Sequence, residues 1–258
     1  MHPNSPKKSL GQNFLQSKAI VARIVKTATL TKKDHVIEIG PGHGILTEEL
    51  ARTAKKVTAI ELDQDLIPAL REKFPPPSPP TPGKTPGTAP VEILHENALL
   101  FTPPKTGKYK VVANIPYYIT SPLVTHFLTA PNPPTTITFL VQKEVAEKIC
   151  ENPPTSILAL QAQLYSTPRL AFFVPAKHFQ PKPKVDSAVI HLQTLPKSTR
   201  PKNPAAILAL AKKAFSQKRK KLSNTLRDLK PALIKLGLQD KRPQHLTIKD
   251  WDNLASKI

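Results

Sequence analysis

One cysteine, one methionine and one tryptophan occur in 258 residues, and aromatic side chains make up only 5%. A single cysteine, Cys150, excludes an intramolecular disulfide and suits a reducing compartment. In a helical-looking stretch it reads as packing rather than as a reactive thiol. No apolar run approaches the roughly 18 residues that a membrane-spanning helix needs. The opening MHPNSPKKSLGQ is polar and basic with no apolar segment behind it, so no secretory signal is expected. Acids are scarce as well: 18 Asp and Glu against 38 Lys and Arg leave a net charge of +20. Such an excess implies a polyanionic partner. It is concentrated late in the chain, where residues 197–258 carry 16 Lys and Arg against Asp228, Asp240, Asp250 and Asp252. No basic amphipathic helix with bulky aromatic anchors is evident, so the expected partner is nucleic acid rather than a membrane surface.

Proline is the residue in surplus, with 30 in all. Eight fall in residues 75–90, PPPSPPTPGKTPGTAP, which excludes helix or central strand there and predicts a surface loop inserted within a domain. Around it, strands and helices alternate. Residues 17–30 place Ile20, Val21, Ile24 and Val25 on one helical face. Apolar runs at 35–39, 56–63, 91–94, 110–115, 136–141, 170–175 and 187–195 predict seven strands, with helices over 45–53, 64–73 and 142–149. Strands alternating with helices imply a mostly parallel sheet covered on both faces. From about residue 197 only helices are expected. Asn203 and Pro204 open one, Pro231 and Gly237 bracket another, and Thr247 with Asp250 forms a capping box. That last segment sets Trp251, Leu254, Ala255 and Ile258 at helical spacing, with Trp251 as core. The expected domains are therefore 1–196 and 197–258.

The segment EIGPGHG (38–44) lies between the first strand and its helix, where Gly40, Gly42 and Gly44 permit a sharp turn and close approach to a ligand. Glu38 precedes this turn, and Glu61 ends the second strand 21 residues after Gly40, placed to accept from ribose hydroxyls. Both features fit a dinucleotide as readily as a methyl donor. The later strand ends carry His95, Glu96 and Asn97, then Asn114, Ile115, Pro116 and Tyr117. An Asn-x-Pro-Tyr tetrapeptide has a chemical use beside a nucleotide site. The amino group of adenine is a poor nucleophile because its lone pair is delocalised into the ring. The Asn114 side-chain oxygen and the Ile115 carbonyl can each accept an N–H and draw that nitrogen toward a pyramidal geometry. Tyr117 can stack on the base. Positioning and hydrogen bonding then suffice without a strong general base.

Six motifs in order resemble the small-subunit ribosomal RNA adenine dimethyltransferase family (KsgA/RsmA type). They are KKSLGQNFL (7–15), VIEIGPGHGILT (36–47) with AIELD (59–63), NIPYYITSP (114–122), QKEVAEKI (142–149), FQPKPKVDSAVI (179–190) and AFSQKRKKLSNTL (214–226). The resemblance implies an α/β fold, a Rossmann-like S-adenosylmethionine-dependent methyltransferase domain with a seven-stranded mixed sheet, and a small all-α C-terminal domain. It implies S-adenosylmethionine as methyl donor, held by Asn13, Leu15, Gly40, Gly42, Glu61, Asn97 and Asn114, and no metal. Asn114, Tyr117 and Phe179 would be catalytic, with Phe179 closing over the base opposite Tyr117. The substrate would be two adjacent adenines in the 3′-terminal hairpin loop of small-subunit rRNA. A cytoplasmic monomer acting on a 30S-type particle is expected. The run Lys212, Lys213, Lys218, Arg219, Lys220 and Lys221 would meet rRNA phosphates. The alternatives are a large-subunit rRNA adenine methyltransferase of the Erm type and a non-catalytic nucleic-acid-binding relative. Three departures stand out. Asn97 replaces the family's usual Asp, the Pro-rich stretch 75–90 is extra, and ENPPTSI (151–157) lacks a Tyr-Gly that often precedes the next helix.

Overall fold

Capping residues and glycines decide where the chain turns, and apolar runs decide what it buries. The computed structural model describes residues 6–7, 10–76 and 88–257. Residues 77–87, most of the Pro-rich stretch, lie outside the described residues, as does Ile258. A short strand β1 (Phe14–Leu15) precedes α1 (Lys18–Thr27). The Ser17 side chain caps α1 by accepting the Ile20 N–H, and its buried stripe is Ile20, Val21, Ile24 and Val25. Next come β2 (His35–Ile39), α2 (Ile45–Thr53), β3 (Lys56–Glu61) and α3 (Ile67–Lys73). After the insertion follow β4 (Val91–His95), β5 (Tyr109–Asn114), α4 (Thr120–Leu128), β6 (Thr136–Gln142) and α5 (Lys143–Cys150). Then α6 (Ile157–Tyr165) runs directly into β7 (Ser166–Val174), and β8 (Phe179–Gln180) and β9 (Ser187–Thr194) complete the strands.

Seven strands form one sheet in the order β4-β3-β2-β5-β6-β9-β7. The five from β4 to β6 pair in parallel, and β9 runs antiparallel to β6. This is the Rossmann-like mixed sheet expected. Its central strands are apolar on both faces because helices cover both; Val36, Ile37, Val111 and Val112 have no exposed surface. The order reverses between β2 and β5, so the loops leaving their carboxyl ends diverge around a crevice. A second, two-stranded sheet escapes sequence reading. It pairs β1 with β8, setting Leu15 opposite Phe179.

The chain divides into two compact units. One comprises residues up to Lys143 with Arg169–Thr194, and the other Glu144–Pro168 with residues from Leu195 on. The second unit contains α7 (Pro204–Phe215), α8 (Leu222–Thr225), α9 (Lys230–Lys235) and α10 (Ile248–Ala255). Asn203 accepts the Ala206 N–H at 3.0 Å ahead of Pro204, and Thr247 with Asp250 closes a full capping box. Trp251 is fully buried and stacks on Phe215 with ring centroids 6.2 Å apart. Leu160 and Leu164 of α6 belong to this same core. Helix α6 thus groups with the late helices, although it precedes two strands of the sheet. No helix among the described residues is long and apolar enough to cross a membrane.

Candidate active site

The loop leaving β2 carries Gly40, Gly42 and Gly44 at φ 65°, 57° and 76°, a region other residues rarely adopt. At Gly42 a Cβ would also lie 2.9 Å from a ring carbon of Phe14, so the packing itself demands glycine. The loop is anchored to β3, since the Gly42 N–H donates to Glu61 Oε2 at 3.1 Å and the Gly40 N–H to the Ile60 carbonyl at 2.9 Å. Glu61 is buried, and its other oxygen accepts the Asp63 N–H at 2.8 Å. Burial raises its carboxyl above the usual range, while the N–H groups of Asp63 and Gly42 oppose that rise. Beneath the loop lies Glu38, 1% exposed, with neither carboxylate oxygen hydrogen-bonded among the described residues. Burial lifts its carboxyl to about 8; the neighbouring Thr47 hydroxyl offsets this only in part and does not reach hydrogen-bonding geometry.

An open cleft lies at these strand ends, with Gly40, Gly42, Glu61, Asn97, Asn114 and Tyr117 in its lining. Asn97 Oδ1 accepts the Leu99 N–H at 3.0 Å, turning the chain after β4. Asn114, at the end of β5, donates from Nδ2 to the Asn13 carbonyl at 3.1 Å. Among the described residues its Oδ1 accepts no hydrogen bond, so the acceptor remains open. The half-buried Tyr117 begins the turn after Pro116, and its hydroxyl hydrogen-bonds the Ser187 hydroxyl at 2.8 Å. Burial raises the Tyr117 phenol, with the Ser187 bond opposing and Asp186 adding to the rise.

The N-terminal segment forms one wall of the cleft. Gln12 Nε2 donates to Asp63 Oδ2 at 2.7 Å, and its Oε1 accepts the Lys7 N–H at 2.7 Å. The Lys7 ammonium meets both Asp63 and Asp65. Burial would raise the Asp63 carboxyl, but the hydrogen bonds from Lys7, Gln12 and Asp65 outweigh it and hold the group below the usual range.

Six of the seven residues expected to hold the methyl donor, namely Asn13, Gly40, Gly42, Glu61, Asn97 and Asn114, line this cleft. Leu15 does not; it is buried and lines an adjoining cavity with Gly40, Gly42 and Asn114. Phe179 is the larger departure. Its ring is 3% exposed and sits in the core with Leu15, so it is absent from the cleft wall that Tyr117 occupies. The β1–β8 pairing explains this, because Phe179 stands opposite Leu15 in that ladder. Of the two rings expected to sandwich the base, Tyr117 lines the cleft and Phe179 does not. Sequence reasoning missed Ser187 and the Asp63 clasp. A serine opening a strand carries no periodic signal, and its partnership with Tyr117 exists only in the fold. In the helical unit all six cations of the basic run are exposed. Lys212 and Lys213 lie in the last turn of α7, where positive charge suits the helix dipole, and Lys218, Arg219 and Lys220 lie in the turn that follows. Lys213 pairs with Asp228 and Lys221 with Asp240, both at 2.8 Å. The other four have no ion-pair partner among the described residues.

This geometry can be set beside known proteins. The chain matches the family described as "Ribosomal RNA adenine dimethylase" across residues 3–242. It is 41% identical over 247 residues to the ribosomal RNA small subunit methyltransferase A of Listeria monocytogenes serotype 4a (strain HCC23), covering 88% of this chain and 78% of that protein. A dimethyladenosine transferase from Plasmodium falciparum superposes with a TM-score of 0.79 at 25% identity, over 93% of this chain and 95% of that one. The 23S rRNA methyltransferase ErmE superposes with a TM-score of 0.73 at 28% identity, over 95% of this chain and 99% of that one.

Proposed function

The chain belongs to the ribosomal RNA adenine dimethylase family, and on that premise we propose that it dimethylates the 6-amino groups of two adjacent adenines in the 3′-terminal hairpin loop of small-subunit rRNA. The observation that carries the reading is the open Asn114 Oδ1 beside Tyr117 at one rim of the cleft. S-adenosylmethionine, when bound, supplies a methyl group already activated by its positive sulfur. The residues present fit that molecule. Buried Glu61 has both oxygens oriented by backbone N–H groups and keeps lone pairs for ribose hydroxyls. The glycine loop offers close backbone approach, and Asn97 and Ala98 line the part of the cleft suited to an adenine ring.

In this reading Asn114 Oδ1 and the Ile115 carbonyl accept the two N–H bonds of the target amine. The bond from Asn114 Nδ2 to the Asn13 carbonyl fixes the amide so that oxygen, not nitrogen, faces the base. Tyr117 stacks on the base and holds its nitrogen in line. The proton released on transfer passes to water; Glu61 is engaged by backbone N–H groups, and Asp63 by Lys7 and Gln12. An unstacked loop base is the suitable substrate, since a duplex would hide the amine. We assign phosphate anchoring to Lys212, Lys218, Arg219 and Lys220, whose charges are not committed to acids of this chain. The working form is a monomer acting in the cytoplasm on a 30S-type particle.

Methyl-labelled S-adenosylmethionine, incubated with unmethylated small-subunit particles and separately with naked large-subunit rRNA, tests the reading. Label should enter the small-subunit RNA as two dimethyladenosines. Label confined to large-subunit RNA would overturn it in favour of the Erm-type activity. Asn114→Ala should abolish transfer while RNA binding persists. The 41% identity to a small-subunit enzyme, against 28% to ErmE, favours the first substrate.

A further inference from the structure

Large apolar side chains exposed among the described residues are few, and only two are aromatic, Tyr118 and Phe173. Tyr118 lines the cleft already described. Phe173 is 48% exposed near the end of β7, on the same structural unit but outside that cleft. The ammonium of Lys143 sits 5.1 Å from its ring centroid. Its neighbour Phe172 is half-buried beneath the Arg23 guanidinium, 3.9 Å from that ring, so alternation along the strand leaves only Phe173 facing outward.

The chain itself ties this spot to the reacting rim. The Lys143 N–H donates to the Asp186 carbonyl at 3.0 Å, and the Ala176 N–H to Asp186 Oδ1 at 2.9 Å. The next residue, Ser187, faces Gln142 across the β6–β9 ladder and hydrogen-bonds Tyr117 at 2.8 Å. Phe173 and Lys143 therefore stand at the carboxyl end of β6, the end of the sheet that carries the cleft. Lys177, Lys182 and Lys184, in the segment between Phe173 and Ser187, are exposed, as are the acids Asp186 and Glu144. An exposed ring with an ammonium beside it offers two unlike surfaces, a flat π-face and a positive charge. A nucleotide presents the matching pair, a base and a phosphate. An acidic peptide would use the charge and leave the ring unused.

We propose that Phe173 and Lys143 form a second RNA-binding site on the methyltransferase unit. In it the ring stacks on an unpaired base flanking the target adenine, and the ammonium contacts a neighbouring phosphate. The proposal rests on the reading above for the identity of the ligand as RNA. It extends RNA contact beyond the basic run of the helical unit, and it gives the target strand a hold beside Tyr117. Stacking is sequence-tolerant, so this site sets affinity and strand path, not the choice of base.

The test uses the full chain and a hairpin RNA of the small-subunit loop with 2-aminopurine at positions flanking the target adenines. Binding should quench the probe, and Phe173→Ala should abolish the quenching and weaken RNA affinity on the order of tenfold. Phe173→Tyr should recover most of both effects, because it restores the π-face. Lys143→Ala should reduce the slope of log affinity against log salt by about 1. In steady state, Phe173→Ala should raise KM for RNA more than it lowers kcat and leave cofactor affinity unmoved. Unchanged quenching and affinity in Phe173→Ala would overturn the proposal, as would a loss of self-association in its place. Absence of methyl transfer by the unsubstituted protein would instead overturn the functional reading, and the quenching assay would still decide the site.

Discussion

At the scale of single residues, the bond between the Tyr117 and Ser187 hydroxyls does work that stacking alone cannot. The phenolic oxygen lies on the ring's χ2 axis, so a fixed hydroxyl partner holds the side chain's χ1 and the position of the ring. One such bond contributes about 0.5–1.5 kcal/mol, enough to change a rate several-fold if the ring must be set before the amine is. Ser187→Ala should accordingly lower kcat about three- to tenfold while cofactor affinity holds. In a Tyr117→Phe background the same substitution should add nothing. Additive losses in that double-mutant cycle would mean that Ser187 supports β9 and not the ring. Glu38 makes a different residue-level prediction. Its carboxyl is raised from 4.5 to about 8, so between those values the folded chain holds a proton that the unfolded chain has released. The stability associated with the neutral form is complete below pH 4.5 and is lost as pH rises toward 8. Glu38→Gln cannot ionise and should flatten that slope, giving a melting-temperature difference from the parent that changes between pH 5 and 8. Parallel curves across this range would show that Glu38 ionises normally.

At the scale of elements, the clasp on Asp63 joins the N-terminal segment to the end of β3, two residues beyond Glu61. It holds the wall of the cleft that contains Asn13, whose carbonyl orients Asn114. Asp63→Ala removes the partner that Lys7 and Gln12 share, leaving Lys7 only Asp65, and should accelerate cofactor dissociation several-fold, measurable by stopped-flow fluorescence. An unchanged off-rate would show that the wall is held without Asp63. These ties also mark what could be read from sequence. Runs such as VIEI and KVTAIE declare strands by apolar content, and Ser17, Asn203 and Thr247 declare helix starts by chemistry. The β1–β8 ladder has two residues per strand and no periodicity to detect, so Phe179 was expected at the base and is found against Leu15. Helix α6 passes into β7 with no intervening turn residue, and its core partners, Ile207, Leu210 and Trp251, lie far along the chain. Of the site, the residues that define strand ends were legible, whereas Ser187 and Asp63 act through partners that only the fold brings near.

At the scale of the whole molecule, a net charge of +20 repels itself, and its distribution decides what it can bind. Cations already paired to acids of the same chain contribute less to an RNA complex, since their local field is partly cancelled. The basic run separates into two such classes. Lys213 and Lys221 have Asp228 and Asp240, while Lys212, Lys218, Arg219 and Lys220 have no such partner among the described residues. Exposed pairs of this kind add little to stability, so removing them should leave the fold intact. Each unpaired cation that meets a phosphate releases a counterion, and the logarithm of affinity should fall with the logarithm of salt in proportion to their number. Replacing Lys218, Arg219 and Lys220 together by alanine should therefore reduce that slope by about 2–3 and weaken binding of small-subunit RNA steeply at low salt. Replacing Lys213 and Lys221 should change it by less. Melting temperature should move little in either variant, and methyl transfer to saturating RNA should persist, because the cleft lies in the other unit. Equal slopes in the two variants would mean that the pairing with Asp228 and Asp240 does not govern which charges reach the RNA.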